Sequence, residues 1–151
     1  MCKRFTETTI WEDDWFSELS VEYKLFWFYI KDNCNHAGIW KPKTRAFKLL
    51  TDVQVDLAKA LGYFNTGKQR VRLLESGNWF LEDFFLFQYV KSAKSLNLKN
   101  RVHKSVYESY IIEGIASSTV PGIESIIDDD GAIYSPEYYD HMNGILAPDL
   151  D

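Results

Sequence analysis

The spacing of hydrophobic and polar positions predicts a buried helix near the start of the chain. Residues 13–33 begin with two acidic residues, continue with Ser20, and reach the apolar run Leu25-Phe26-Trp27-Phe28-Tyr29-Ile30. Acidic and serine side chains favour helix N-termini, and an apolar run without a polar face indicates burial on several sides. We therefore predict one helix over residues 13–33.

Turn residues then separate this helix from a short strand and two shorter helices. The turn-rich stretch 33–38 leads into an apolar segment over 38–40, which is long enough for one strand. Pro42 favours the first turn of a helix over 42–50, with Leu50 and either Phe47 or Ala46 facing the core. A further helix is predicted over 55–61, ended by Gly62, so the order is helix, short link, helix.

An alternating pattern follows and predicts a β-hairpin. Over 68–73 basic residues alternate with Gln69, Val71 and Leu73, the period of a strand with one solvated face. The turn Glu75-Ser76-Gly77 and the aromatic-rich stretch 78–84 predict a tight turn and a return strand. A loop or short helix over 87–90 and a last helix over 99–112 complete this part.

This element order predicts an α+β fold that is mostly α. Three helices with a small antiparallel β-ribbon correspond to the winged helix-turn-helix plan, although periodicity alone leaves another small α+β fold open. We predict a winged-helix domain over 1–112. The remainder, 113–151, is rich in Ser, Thr, Pro, Gly and acids and is predicted to be an acidic tail or linker. Apolar residues at helical spacing over 136–146 predict a short helix there, suited to a partner groove.

Charge is distributed unevenly along the chain. All 17 Lys and Arg residues lie between positions 3 and 104, whereas residues 105–151 hold ten acidic and no basic side chains. Residues 41–104 alone hold 13 basic and five acidic side chains. A basic body with an acidic tail predicts a polyanion-binding surface and a segment that competes for it.

The cations expected to contact DNA fall into groups that follow the predicted elements. They are Lys41, Lys43, Arg45 and Lys48 around the helix 42–50, Lys59 in the helix 55–61, Lys68, Arg70 and Arg72 on one face of the strand 68–73, and Lys99, Arg101 and Lys104 in the last helix. Such side chains bind phosphates and give affinity without sequence information. The helix 55–61 has few residues that recognise bases, so strong sequence specificity is not expected.

No pattern in the sequence indicates catalysis, a cofactor or a metal site. Phosphate-binding, zinc-protease and serine-hydrolase motifs are absent, and Cys34-Asn35-His36 lacks the further ligands of a metal site. Cys34 is expected to be a buried thiol in a turn. Two cysteines without a disulfide framework, no apolar run of about 18 residues and no apolar leader predict a cytoplasmic protein without membrane contact.

Three blocks of aromatic and glycine positions carry a resemblance to a known family. They are Trp11-x-Asp13-Asp14-Trp15-Phe16-x-x-Leu19-Ser20 with Lys24-Leu25-Phe26-Trp27, then Asp32-Asn33-Cys34-x-His36-Ala37-Gly38-Ile39-Trp40, and Gly77-x-Trp79-Phe80-Leu81-x-Asp83-Phe84-x-x-Phe87-Gln88-Tyr89. Together the blocks resemble the N-terminal domain of DnaD-like phage replication initiators over about residues 5–105. The resemblance implies a winged helix that binds DNA or self-associates and helps to recruit a replicative helicase in the bacterial host cytoplasm.

The expected function is therefore non-enzymatic DNA binding in phage replication initiation, mainly through phosphates. Two alternatives stay open: an adaptor that binds replication proteins, in part through the acidic tail, and a small phage transcription regulator. A homodimer with Trp11 or Trp15 at its seam is a further expectation. The acidic tail is also expected to fold over the basic face and compete with DNA.

Overall fold

The computed structural model describes residues 3–89 and 101–115, and the chain divides into two compact units, Met1–Phe84 and Phe85–Asp151. The first unit contains a 3-10 helix (Thr8–Glu12), α1 (Asp14–Ser17), α2 (Val21–Asn33), β1 (Ile39–Trp40), α3 (Arg45–Thr51), α4 (Leu57–Phe64), β2 (Val71–Leu73) and β3 (Trp79–Leu81). Helix α5 (Phe84–Tyr89) begins at the unit boundary, and α6 (Arg101–Glu113) lies in the second unit. The predicted mixture of helices with a small sheet, an α+β fold, is confirmed.

The first unit contains a three-stranded antiparallel sheet with the strand order β1-β3-β2, so β3 is the central strand. Trp79 lies opposite Trp40 on one side and Leu73 on the other. All three residues of β3 are buried. The sheet therefore joins the segment after α2 to the hairpin that follows α4.

The core of the first unit is built around the fully buried ring of Phe26 in α2. Its centroid lies 5.6 Å from that of Trp40, 5.1 Å from Phe47, 6.1 Å from Phe64 and 6.3 Å from Trp79. Aromatic pairs at such distances contribute about 0.5–1.5 kcal/mol each beyond their buried area. One side chain thus contacts rings of β1, α3, α4 and β3, whereas Leu25, in the same apolar run, stays exposed.

The single helix predicted over 13–33 is wrong in its first third. The chain forms the 3-10 helix and α1, then a break, and α2 begins only after Ser20, whose backbone is extended at φ −65° and ψ 160°. The Lys24 ammonium donates to the carbonyls of Ser17 and Leu19, at 2.8 Å each, and so satisfies the backbone at the break. Hydrogen bonds from its own backbone N–H and from Ser20 lower the pKa of Glu22, which is typical of a helix start.

Helix α4 runs past the glycine that was predicted to end it. Gly62 lies inside the helix, and the last residue, Phe64, is fully buried against Trp27 at 4.9 Å between centroids. Burying a phenylalanine side chain contributes about 1.5–3 kcal/mol, more than the roughly 1 kcal/mol that a helical glycine costs. Likewise α3 begins at Arg45 rather than at Pro42, after a non-helical connection of residues 41–44.

The hairpin is shorter than predicted, for two local reasons. The Asn65 side chain accepts from the backbone N–H groups of Arg70 and Val71, so residues 68–70 stay in a loop and β2 begins at Val71. At the other end, Asp83 has a left-handed φ of 60°, which stops the predicted strand 78–84 before α5 begins. Where the structure describes it, α6 agrees with the predicted helix 99–112.

Several expectations lie outside the described residues: the tail after residue 115, its short helix, and Lys99. The domain bounds 1–112 and 113–151 therefore stay predictions, and the unit boundary at Phe84 falls inside the first. No helix among the residues that the structure describes is long and apolar enough to cross a membrane.

The turn between α2 and β1 depends on a glycine at position 38. Gly38 has a φ of +81°, and its carbonyl accepts from the backbone N–H of Leu81 at 2.8 Å. A Cβ at this position would lie 2.8 Å from Cβ of Phe84 and 3.1 Å from the carbonyl oxygen of Leu81. Both the backbone conformation and the available space therefore require glycine.

We predict that Gly38→Ala lowers the free energy of unfolding by about 2–4 kcal/mol, because left-handed strain and a clash add together. The matched control is Gly77→Ala: its φ is +86°, but nothing lies within 4 Å of the added Cβ, so only about 1 kcal/mol of conformational cost remains. Urea denaturation measures both variants. Equal losses would show that Gly38 is not sterically required.

Candidate nucleic-acid interface

Four of the predicted cations lie together along the chain between β1 and the middle of α3. Lys41 and Lys43 are in the connection that leaves the sheet, Arg45 opens α3, and Lys48 follows one turn later. All four side chains are exposed, and within residues 3–89 and 101–115 none forms an ion pair. Lys48 makes one long hydrogen bond, 3.4 Å to Oε1 of Gln54. We call these four residues the α3 cation group.

The solvent-facing side of α4 adds one more cation, Lys59. Its exposed neighbours are Ala58, Gly62 and Tyr63, which include no amide or guanidinium group for recognising bases. Asp56 caps the helix, with its Oδ1 accepting from the backbone N–H of Lys59 at 3.0 Å. Since Asp52 and Asp56 are also exposed, residues 41–59 carry five basic and two acidic side chains and remain net positive.

The cations of the hairpin differ, because intramolecular partners hold them. Lys68 lies 3.3 Å from Asp83 in an exposed ion pair. Arg72 binds Glu82 through two hydrogen bonds, of 2.8 and 3.2 Å, and its guanidinium lies 5.2 Å from the ring centroid of Phe80. The Arg72–Glu82 pair is half-buried and bidentate, the geometry in which such pairs are strongest.

Arg70 has a structural environment that the strand pattern did not predict. The expectation that Lys68, Arg70 and Arg72 share one strand face is wrong, because β2 begins only at Val71. One terminal nitrogen of Arg70 donates to the carbonyl oxygens of Phe64, Thr66 and Lys68, at 3.2, 2.7 and 3.2 Å. Its guanidinium also lies 4.1 Å from the ring centroid of Trp15. Burial lowers the pKa of Arg70, against the opposing charge of Asp13.

Arg70 therefore links the end of α4, the loop that follows it and α1. It satisfies carbonyls at the C-terminal end of α4 and in the following loop, and it stacks on α1, which lies against α4. Of the last predicted group, Arg101 is exposed and Lys104 half-buried on α6, in the second unit.

Cys34 is a buried thiol in the turn after α2, as predicted. Its sulfur accepts from Arg4 at 3.1 Å, and Arg4 also donates to the carbonyl of Cys34 at 2.6 Å. Burial raises the pKa of the Cys34 thiol to about 11. The nearby charge of Arg4 acts in the opposite direction but is the smaller effect. Within the described ranges no three His, Cys, Asp or Glu side chains come together as metal ligands.

Sequence reasoning missed the exposed outer face of α3. Phe47 is fully buried, as predicted, but Leu50 does not face the core: it is 78% exposed and Leu49 is 76% exposed. Phe47 alone anchors the helix, through rings of α2 at 5.1 Å. Phe47 is the buried residue of this seven-residue helix, and five of the other six side chains are exposed.

Comparison with protein-family models, with curated proteins and with solved structures finds no match to this chain. The resemblance to DnaD-like initiators therefore stays a prediction.

We predict that Arg70→Lys destabilises the first unit by about 1–3 kcal/mol, since an ammonium cannot reproduce the shared guanidinium contacts to carbonyls and ring. Lys41→Gln, which removes an exposed cation without a partner in the described residues, should leave the unfolding free energy unchanged. Thermal and urea unfolding measure both. An Arg70→Lys variant as stable as the parent chain would contradict the linking role.

We predict that the Cys34 thiol reacts at pH 8 at least about tenfold more slowly than a free cysteine, because burial raises its pKa to about 11 and leaves little thiolate. A disulfide reagent measures this in a Cys2→Ser background, with the urea-unfolded chain as reference. The same shift makes stability fall between about pH 9 and pH 11, since the unfolded thiol loses its proton first. Equal reaction rates in the folded and unfolded chains would contradict the burial.

Proposed function

We propose that the first unit is a winged helix that binds duplex DNA without catalysing a reaction. Two features support the winged-helix assignment: the element order helix, strand, helix, helix, strand, strand, and the strand order β1-β3-β2. In this arrangement α3 and α4 are the two helices of the helix-turn-helix, and the β2–β3 hairpin is the wing.

The observation that carries the proposal is the exposure of the α3 cation group. Lys41, Lys43 and Arg45 have no hydrogen-bond or ion-pair partner among the described residues, so phosphate oxygens can replace water without breaking an existing contact. The first helix of such a motif crosses the DNA backbone, which is where this group lies. Lys59 extends the same charge onto α4.

Contact through phosphates rather than bases follows from the residues of α4. Its exposed positions offer an ammonium, two small residues and a tyrosine ring, and no Arg, Asn or Gln that forms paired hydrogen bonds to base edges. Affinity should therefore depend on ionic strength and little on sequence. Of the expected functions, participation in phage replication initiation fits such sequence-tolerant binding and is part of the proposal.

The wing contributes less in this proposal than the strand pattern indicated. Arg70 is held by three backbone carbonyls and Arg72 by Glu82, so binding a phosphate would cost each of them an intramolecular partner. Lys68, in the loop before the wing, keeps an exposed ion pair that is worth little, so it exchanges partners easily.

The test compares two double variants that remove equal charge. We predict that Lys41→Gln/Lys43→Gln weakens binding to random-sequence duplexes and reduces the slope of log affinity against log salt by about 1.8, since each phosphate contact contributes about 0.9. The control, Lys3→Gln/Lys68→Gln, removes two exposed lysines outside the α3 cation group and should change the slope by less than about half as much.

Fluorescence anisotropy on two unrelated duplexes at several salt concentrations provides the measurement. Identical slopes for the two double variants would remove the α3 cation group from the proposal. No binding by the parent chain at low salt would overturn DNA binding altogether.

A further inference from the structure

The outer face of α3 combines apolar and basic side chains without cover from the rest of the first unit. Leu49 and Leu50 are 76% and 78% exposed, and Arg45, Ala46 and Lys48 are exposed beside them. Single exposed leucines are common, whereas two adjacent ones on one short helix form a small patch that favours association.

Helix geometry places the two kinds of side chain side by side. At about 100° per residue, Lys48 and Arg45 occupy one edge of the outer face of α3. Leu49, Ala46 and Leu50 follow in that angular order toward the other edge. Phe47, the residue that anchors α3, points to the opposite, buried side. The face is therefore amphipathic, with a cationic edge and an apolar edge.

From this arrangement we infer that α3 docks an acidic amphipathic helix of a partner protein. Carboxylates on the partner would pair with Arg45 and Lys48, while its apolar side chains cover Leu49 and Leu50. A second copy of α3 fits poorly, because an antiparallel pair brings the two cationic edges together and a parallel pair sets each cationic edge against leucine. The docking itself depends only on the exposed face; competition with DNA for Arg45 and Lys48 rests on the proposed function.

Two other occupants match only part of the face. DNA phosphates pair with the cations but leave both leucines in water. An anionic bilayer would take both kinds of side chain, but interfacial helices insert a long apolar face, whereas α3 has seven residues and spans about 10 Å. An acidic amphipathic helix covers the cations and the leucines together.

The experiment titrates the full chain into a fluorescent 18-residue peptide of Leu, Glu and Ala, with Leu at helical i, i+3, i+4, i+7 spacing and Glu beside it. We expect binding that weakens at least tenfold in Leu49→Ser/Leu50→Ser, because the apolar anchors are lost. The matched control, Val21→Ser/Leu73→Ser, removes two other exposed apolar side chains, on α2 and β2, and should bind as the parent does.

Further measurements distinguish peptide docking on α3 from DNA binding and from docking of the other occupants. Duplex binding by Leu49→Ser/Leu50→Ser should stay within about twofold of the parent, and the peptide should compete with DNA. Equal peptide affinity for all variants would overturn the inference, as would equal affinity for a Glu→Gln version of the peptide. Two further results would also overturn the inference. One is self-association of the parent chain that is lost in Leu49→Ser/Leu50→Ser. The other is binding of the parent chain to vesicles with one-third anionic lipid but not to the peptide.

Discussion

The burial of Phe26 is the constraint on which the rest of the first unit depends. Its ring lies within 6.3 Å of aromatic rings from β1, α3, α4 and β3, so each of these elements is positioned by the same helix. Phe47 anchors α3 from the inside, and Ala60 and Phe64 do the same for α4, so most of the other residues of α3 face solvent. The exposed cations and leucines of α3 are a direct consequence of this single point of attachment.

Part of the basic charge of the first unit is held by contacts inside the unit. Three arginines, Arg4, Arg70 and Arg72, bind backbone carbonyls or a carboxylate inside the unit, and each also lies over an aromatic ring. The planar guanidinium suits such multiple contacts, whereas an ammonium acts as a hydrated point charge. Lysines 41, 43 and 59 stay exposed instead. The basic excess in the sequence therefore overstates the charge that is free for a polyanion.

The sequence predicted correctly those features that depend on interactions between residues close together in the chain. The apolar run of α2, the short strand that ends at Trp40, the turn at Gly77 and the burial of Cys34 all follow from neighbouring residues. The failures share a different origin, in contacts between distant residues. Gly62 stays helical because Phe64 is buried against Trp27, and Arg70 leaves the strand pattern because Trp15 and the end of α4 surround it. No period in the sequence encodes such contacts.

The most direct test of the central claim is an amide NMR titration of the full chain with a random-sequence duplex. We predict that the largest shift changes fall on residues 41–48 and on Lys59, that they diminish with added salt, and that the amides of residues 70–73 change little. Shift changes concentrated on the β2–β3 hairpin, or none at low salt, would contradict the claim.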